Sequence, residues 1–196
     1  MGNVESINLS LSNIWKTWYL FRKGKKRTLE LDIFQYFLER NLYELFVDLN
    51  GGTYKHGAYR RFISIDNKKR EISVASIRDR VVHRLLYEYL VGICDKTFIY
   101  DVWSCRSGKG LMGAIERTEE MLTRFSDSFV WRSDIKKFFD NVNKGVLTSI
   151  LLRRVEDEKA LRILKEIIGS YGVGLRLSSG DKREKERERE EYRSEI

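Results

Sequence analysis

The stretch Trp131-Arg132-Ser133-Asp134-Ile135-Lys136-Lys137-Phe138-Phe139-Asp140 governs the reading of this chain. Together with Ser128, Phe129 and Val130 it carries a strand pattern, and side chains alternate between the two faces of a strand. Phe129, Trp131, Ser133 and Ile135 then share one face, and Val130, Arg132 and Asp134 the other. The first face suits packing on helices, whereas the second is more polar and suits a cleft. The pattern predicts a strand over 128–135 that ends with the Asp134 carboxylate where a metal can be held. A carboxylate that merely caps the turn after the strand uses the same residue types.

Outward from that stretch, helix and strand alternate. Leu29, Ile33, Phe34, Phe37, Leu38, Leu42, Leu45 and Phe46 recur at helical spacing, and Gly51-Gly52 ends the segment. Tyr59–Ile65 and Arg70–Ala75 read as two strands joined by the polar turn Asp66-Asn67-Lys68-Lys69. Ser76 then caps a helix, and Asp79, at the third helical position, is placed to close a capping box. Ile77, Val81, Leu85 and Tyr89 form the buried face of that helix. A further helix is predicted from Gly110 to Phe125. Two short ones follow near 144–154 and 157–168, the second ending at Gly169.

Composition bounds what such a chain can do. Its 196 residues fit one domain, or one domain and part of another. A hydrophobic content of 42% with 12% aromatic residues is enough for a core and argues against wholesale disorder. The formal charge of +8 points to a polyanionic partner, nucleic acid before membrane. No apolar run is long enough to span a bilayer and no secretory leader is read, so a cytoplasmic setting is expected. Cys94 and Cys105 make no C-x-x-C pair, and with only two histidines, His56 and His83, a zinc site is not expected.

Charge is unevenly spread. An aromatic-basic lead, residues 1–28, sets Trp15, Trp18, Tyr19 and Phe21 among Lys16, Arg22, Lys23, Lys25, Lys26 and Arg27. Such a segment suits RNA by stacking and charge, and equally suits a helix packing its tryptophans on the body. Residues 181–196 hold six Lys/Arg against seven Asp/Glu and present no apolar face. That tail, 176–196, is expected to be a solvated helix or disordered.

Asp134-Ile135-x-x-Phe138-Phe139-Asp140-Asn141-Val142 resembles the A motif of bacterial reverse transcriptases, of the kind found in group II introns and diversity-generating retroelements. Lys68 to His83 resembles the fingers block of those enzymes, in which a basic hairpin leads into a helix carrying Asp79-Arg80-Val81-Val82. Phe98 to Gly110, through Ser104-Cys105-Arg106-Ser107-Gly108-Lys109-Gly110 and with Ala114 beyond, is similar to their next block. Gly52-Thr53-Tyr54-Lys55-His56-Gly57 ahead of the hairpin adds to the likeness, which covers residues 12–175. Three ordered blocks are more specific than any one of them.

The resemblance implies an α+β fold: an incomplete polymerase right hand with helical fingers, a β-hairpin, and the first palm strand and helices. Fingers would span 29–127 and a partial palm 128–175. It implies RNA-directed DNA polymerase chemistry, with an RNA template, a DNA primer, deoxynucleoside triphosphates and Mg2+. Asp134 matches the first metal aspartate, the Ile135 carbonyl an added ligand, and Phe139 the aromatic under the incoming sugar. Lys69 and Arg70 match the positions that hold the triphosphate, although Lys68 is an equal candidate by spacing. A guanidinium can bind phosphate oxygens in pairs. Arg106 and Lys109, in a glycine-containing loop before a helix, suit backbone phosphates. Arg78 and Arg80 either line the template path or pair with Asp79 and Glu88 on the helix surface. Asp140 is expected to be structural.

Departures from the family pattern weigh against activity. The family completes its metal site with adjacent aspartates, and no Asp-Asp pair occurs in this sequence. Gly172-Val173-Gly174-Leu175 begins the preceding block, and the charged tail then replaces it. The expectation is a truncated or frame-shifted reverse transcriptase that is inactive alone, with a separate palm and thumb polypeptide as a candidate partner. The alternative is a non-catalytic basic RNA-binding module, and a third reading is an unrelated basic α/β interaction domain.

Overall fold

The computed structural model describes residues 6–65, 69–136 and 138–171. Among them the chain is α+β, with eight α-helices, one short 3-10 turn and a two-stranded antiparallel sheet. The expected tail at 176–196, the block beginning at Gly172 and the turn residues Asp66, Asn67 and Lys68 lie outside the described residues.

The aromatic-basic lead is a core element. Helix α1 (Leu11–Arg22) starts at Ser10, whose hydroxyl accepts from the Asn13 N–H, and buries Ile14, Thr17, Trp18 and Phe21. Thr17 satisfies its buried hydroxyl by donating to the Asn13 carbonyl at 2.8 Å, so it rides in the apolar face at little cost. Trp18 stacks at a tilt on Phe21 and Phe34, with centroids 5.8 and 5.1 Å away. Its indole is therefore unavailable for stacking on a base. Of the two roles open to the lead, Trp18 takes the packing one.

The single helix expected over 29–50 is two helices. α2 (Leu29–Tyr36) and α3 (Leu38–Gly51) meet at Phe37, whose φ −96°, ψ 31° leaves the helical region. Asn41 spans the break by donating its side-chain N–H to the Phe34 carbonyl at 3.0 Å. The bend lets Phe34 face Trp18 while Leu42, Leu45 and Leu49 enter the centre. Apolar periodicity runs straight through the break, so the pattern could not locate it. α3 ends at Gly52, in the left-handed conformation at φ 72°. An added Cβ there would also fall 1.9 Å from the Arg162 guanidinium.

Strands β1 (Arg60–Ile65) and β2 (Lys69–Val74) pair from Arg60↔Val74 to Ile65↔Lys69, the hairpin the sequence predicts. It leads into α4 (Ile77–Cys94), the central helix, which buries Ile77, Asp79, Val81, Val82, Leu85 and Leu86. α5 (Leu111–Arg124), α6 (Phe138–Asn141), α7 (Lys144–Leu152) and α8 (Glu158–Ser170) follow. α8 returns to the core through Ala160, Ile163 and Leu164, beside Val155. Its cap, Asp157, accepts from the Ala160 N–H at 2.8 Å and from the Ile7 N–H at 3.2 Å, tying the two ends of the described chain together. Gly169 lies inside α8 and does not end it.

The strand expected over 128–135 is not formed. Residues 129–135 carry no regular structure, and Phe129, Val130, Trp131 and Ile135 are all exposed. A strand needs a neighbour for its N–H and C=O groups, and among the described residues the sheet contains β1 and β2 only. Without a second layer neither face of the alternation is buried. α5 keeps its predicted span, yet Leu111, Met112, Ile115, Met121 and Leu122 on it are also exposed.

Candidate functional site

The N-terminus of α4 gathers more chemistry than any other part of the described chain. Ser76 Oγ accepts from the Asp79 N–H at 3.2 Å and donates to Asp79 Oδ2 at 2.6 Å, closing the cap within one turn. Asp79 also accepts from the Tyr54 hydroxyl at 2.8 Å and the Gly57 N–H at 3.1 Å. Only 1% of Asp79 is exposed, so these donors replace its water. Burial first, and then the adjacent carboxylate, push the Tyr54 phenol far above its usual range and keep it a donor. Gly57 leaves little room for a side chain, since a Cβ would sit 3.0 Å from Asp79 Oδ2 and press on the buried carboxylate.

The segment 54–59 that Asp79 holds is tied from other sides as well. Glu166 on α8 accepts from the His56 N–H at 3.2 Å and from Lys55 Nζ at 3.1 Å. His56 and His83 bring their Nε2 atoms to 3.0 Å with nearly parallel rings. One imidazole must donate and the other accept, so the contact requires at least one neutral ring. Burial, reinforced by His56, pulls His83 below the ordinary histidine value. Beyond the Ser76–Asp79 cap, sequence reasoning missed this assembly because its partners lie 22 to 111 residues apart. The glycine in Tyr54-Lys55-His56-Gly57 was its one local sign.

The loop between α4 and α5 is built around Arg106. Its guanidinium donates to Asp95 Oδ1 at 2.7 Å and Oδ2 at 3.2 Å, and to the carbonyls of Asp95, Ile99 and Val102. Those five bonds match the five N–H groups of an arginine, leaving none for a phosphate. The same contact lowers the Asp95 carboxyl below its ordinary value. Lys109 lies over the rings of Tyr100 and Trp103, 3.9 and 4.3 Å from their centroids, and touches the Tyr100 carbonyl. Trp103 in turn covers Gly113 on α5, where a Cβ would meet the indole at 2.7 Å. Cys105 and Gly108 make the turns in the left-handed region, at φ 58° and 71°. In this structure Arg106 and Lys109 organise the loop.

The arginines expected on α4 take separate roles. Arg78 pairs with Asp48 on α3 and lies over the Tyr54 ring at 5.1 Å. Arg80 sits over the buried ring of Phe21 at 5.2 Å. Glu88 pairs with Arg84, one helical turn before it, and Asp79 is engaged by neutral donors. Neither arginine forms the ion pairs with Asp79 and Glu88 that the helix spacing allowed.

The residues of the A-like motif remain apart from this assembly. Asp134 and Ile135 lie in the irregular exposed segment, and Phe139 on α6 is exposed, with Phe138 edge-on to it at 5.3 Å. Lys69 and Arg70 open β2 opposite Ile65 and Ser64. Among the described side chains, no hydrogen bond or ion pair joins residues 60–65 or 71–74 to residues 131–136. Nor do the described residues bring three or more His, Cys, Asp or Glu side chains together as a metal group. Asp134 and the Ile135 carbonyl supply two hard oxygens, which suits a magnesium that takes its other ligands from water and phosphate.

No helix among the described residues is long and apolar enough to cross a membrane. Compared with known proteins, the chain matches no protein-family model and no curated protein.

Proposed function

We propose that this chain is the fingers and leading palm portion of a reverse-transcriptase-like RNA-directed DNA polymerase, the part that holds template, primer and incoming deoxynucleotide. The observation that carries this reading is the antiparallel hairpin running directly into the capped start of α4. It is basic at Lys69-Arg70 and stands in the expected order before the Arg106 loop and the Asp134 motif.

In this reading Lys69 and Arg70 bind triphosphate oxygens, Phe139 lies under the sugar, and Asp134 with the Ile135 carbonyl holds magnesium. Bound there, magnesium would neutralise phosphate charge and orient a primer hydroxyl. The Asp79 assembly ties the chain on either side of the hairpin to the start of α4. The sequence contains no Asp-Asp pair to complete a two-metal clamp, so the 196-residue polypeptide does not extend a primer by itself.

A second reading, a non-catalytic basic RNA-binding module, draws on the exposed setting of Asp134. Fluorescence anisotropy with labelled single-stranded RNA and with an RNA–DNA primer-template tests both. Salt-sensitive binding to either supports the shared nucleic-acid reading. Absence of binding at low salt overturns it and leaves an unrelated interaction domain. Binding that responds to deoxynucleotide and magnesium selects the polymerase reading, and indifference to both selects the module.

A further inference from the structure

A cluster of three cations lies where the end of α1 meets α4. α1 closes with a turn in which Lys25 donates its N–H to the Arg22 carbonyl at 3.1 Å, and Arg22 donates back to the Lys25 carbonyl at 2.7 Å. Gly24, at φ 74°, lets the chain reverse. That reversal sends Lys25 back over Phe21, with Nζ 4.6 Å from the ring centroid. Arg80 lies over the same ring at 5.2 Å. Arg84 stands one helical turn further along the same face of α4.

This arrangement is short of negative charge. Glu88 pairs with Arg84. Neither Lys25 nor Arg80 has an ion-pair partner among the described residues. Arg84 Nε is withdrawn from water with no acceptor, the one such buried side-chain atom among the described residues. Burial and the two arginines pull the Lys25 ammonium below its ordinary value, the electrostatic sign of cations facing each other. Two cations share the Phe21 ring, and Arg84, one turn along α4, lies over Tyr87 with only Glu88 as a carboxylate partner among the described residues. An anion between them would relieve the repulsion and give Arg84 a further acceptor.

We propose that Lys25, Arg80 and Arg84 form a phosphate-binding site along α4 beside Phe21 and Tyr87. A phosphate accepts at several oxygens at once, which suits an ammonium from the turn after α1 and two guanidinium forks from successive turns of α4. The phosphate is either a free one, such as pyrophosphate or a nucleotide tail, or a link in a nucleic-acid backbone. The site stands independently of the polymerase reading, because it uses neither the hairpin nor Asp134.

The test titrates the full chain with inorganic pyrophosphate and, separately, with labelled single-stranded RNA. Four proteins are compared: wild type, Lys25→Gln/Arg84→Gln, Lys69→Gln/Arg70→Gln, and Lys159→Gln on the exposed face of α8. Whichever probe binds wild type is expected to bind Lys25→Gln/Arg84→Gln about tenfold more weakly, with Lys159→Gln unchanged within about twofold. Pyrophosphate binding assigns the site to a free phosphate, and RNA binding alone assigns it to a backbone. Arg84→Lys, which keeps the charge and loses the fork, is expected to fall between, and it replaces the pair should that fail to fold by circular dichroism. If wild type binds neither probe, if the pair binds like wild type, or if Lys159→Gln weakens binding equally, the proposal is overturned. Loss of binding only in Lys69→Gln/Arg70→Gln also overturns it, while leaving the hairpin reading intact.

Discussion

Tyr54 donates its phenolic hydrogen to Asp79 across 2.8 Å inside the protein, joining the segment before the hairpin to the first turn of the central helix. Asp79 collects three such donors, from Tyr54, Gly57 and Ser76, in addition to its place in the cap. The contact matters beyond its own strength because, through Asp79, the chain on either side of the hairpin is tied to the start of α4.

Tyr54→Phe removes one bond to a buried carboxylate and is expected to cost about 2 kcal/mol. Asp79→Ala strands three donors at once and is expected to cost about 3 kcal/mol or more. Urea unfolding of the two single variants and the double variant measures the coupling. Additive effects would show that the hydroxyl and the carboxylate do not act on each other.

Stability should fall on mild acidification through His83. Burial lowers its folded-state value beneath the ordinary 6.5, so the unfolded chain binds the proton more readily. Its contribution is therefore complete above pH 6.5 and is lost as the pH falls through the lowered folded value. Protonation of both rings would also set two cations against each other where the Nε2 atoms now meet at 3.0 Å. Arg80 adds to that repulsion, whereas Asp79 opposes it. Lys55 and Glu166, the other charged groups at this contact, are already engaged with each other. His83→Gln is expected to flatten the dependence of the thermal midpoint between pH 7 and 5. An undiminished slope would place the sensitivity elsewhere.

Gly52→Ala is expected to cost about 1 kcal/mol, because the left-handed φ of 72° penalises any Cβ. The Arg162 guanidinium also stands in the way, but it is the far end of a flexible side chain and can move. Arg162→Ala in the Gly52→Ala background should therefore restore little. Full recovery of the unfolding midpoint would mean that the clash, and not the backbone, sets the cost.

Arg106→Lys keeps a positive charge and cannot reproduce five donors in a fixed fork. Limited proteolysis is expected to cut the loop between Phe98 and Gly110 faster in this variant, while RNA affinity stays near wild type. Equal cleavage with weakened RNA binding would return Arg106 to a phosphate-holding role.

The local signals in the sequence carried well. The hairpin, the Ser76 cap that starts α4 and the span of α5 follow from turn residues, capping chemistry and apolar spacing that act within a few residues. What failed depended on partners. The break at Phe37 is invisible to periodicity because apolar residues continue on both sides of it. The 128–135 segment alternates as a strand does, but alternation supplies no neighbour to pair with. The contacts of Arg106 and Lys109 inside the loop were equally out of reach, because the acceptors and rings that engage them lie 4 to 11 residues upstream in irregular chain. Asp79 was legible as a cap, but its bond to Tyr54 crosses 25 residues.

The most direct test of the polymerase reading is a nuclear magnetic resonance titration of the uniformly nitrogen-labelled chain with a deoxynucleoside triphosphate and magnesium. The account predicts shifts at Lys69 and Arg70 together with shifts from Asp134 to Phe139, and loss of the second set in Asp134→Ala. Shifts confined to other residues, or an Asp134 segment that ignores both nucleotide and magnesium, would contradict it.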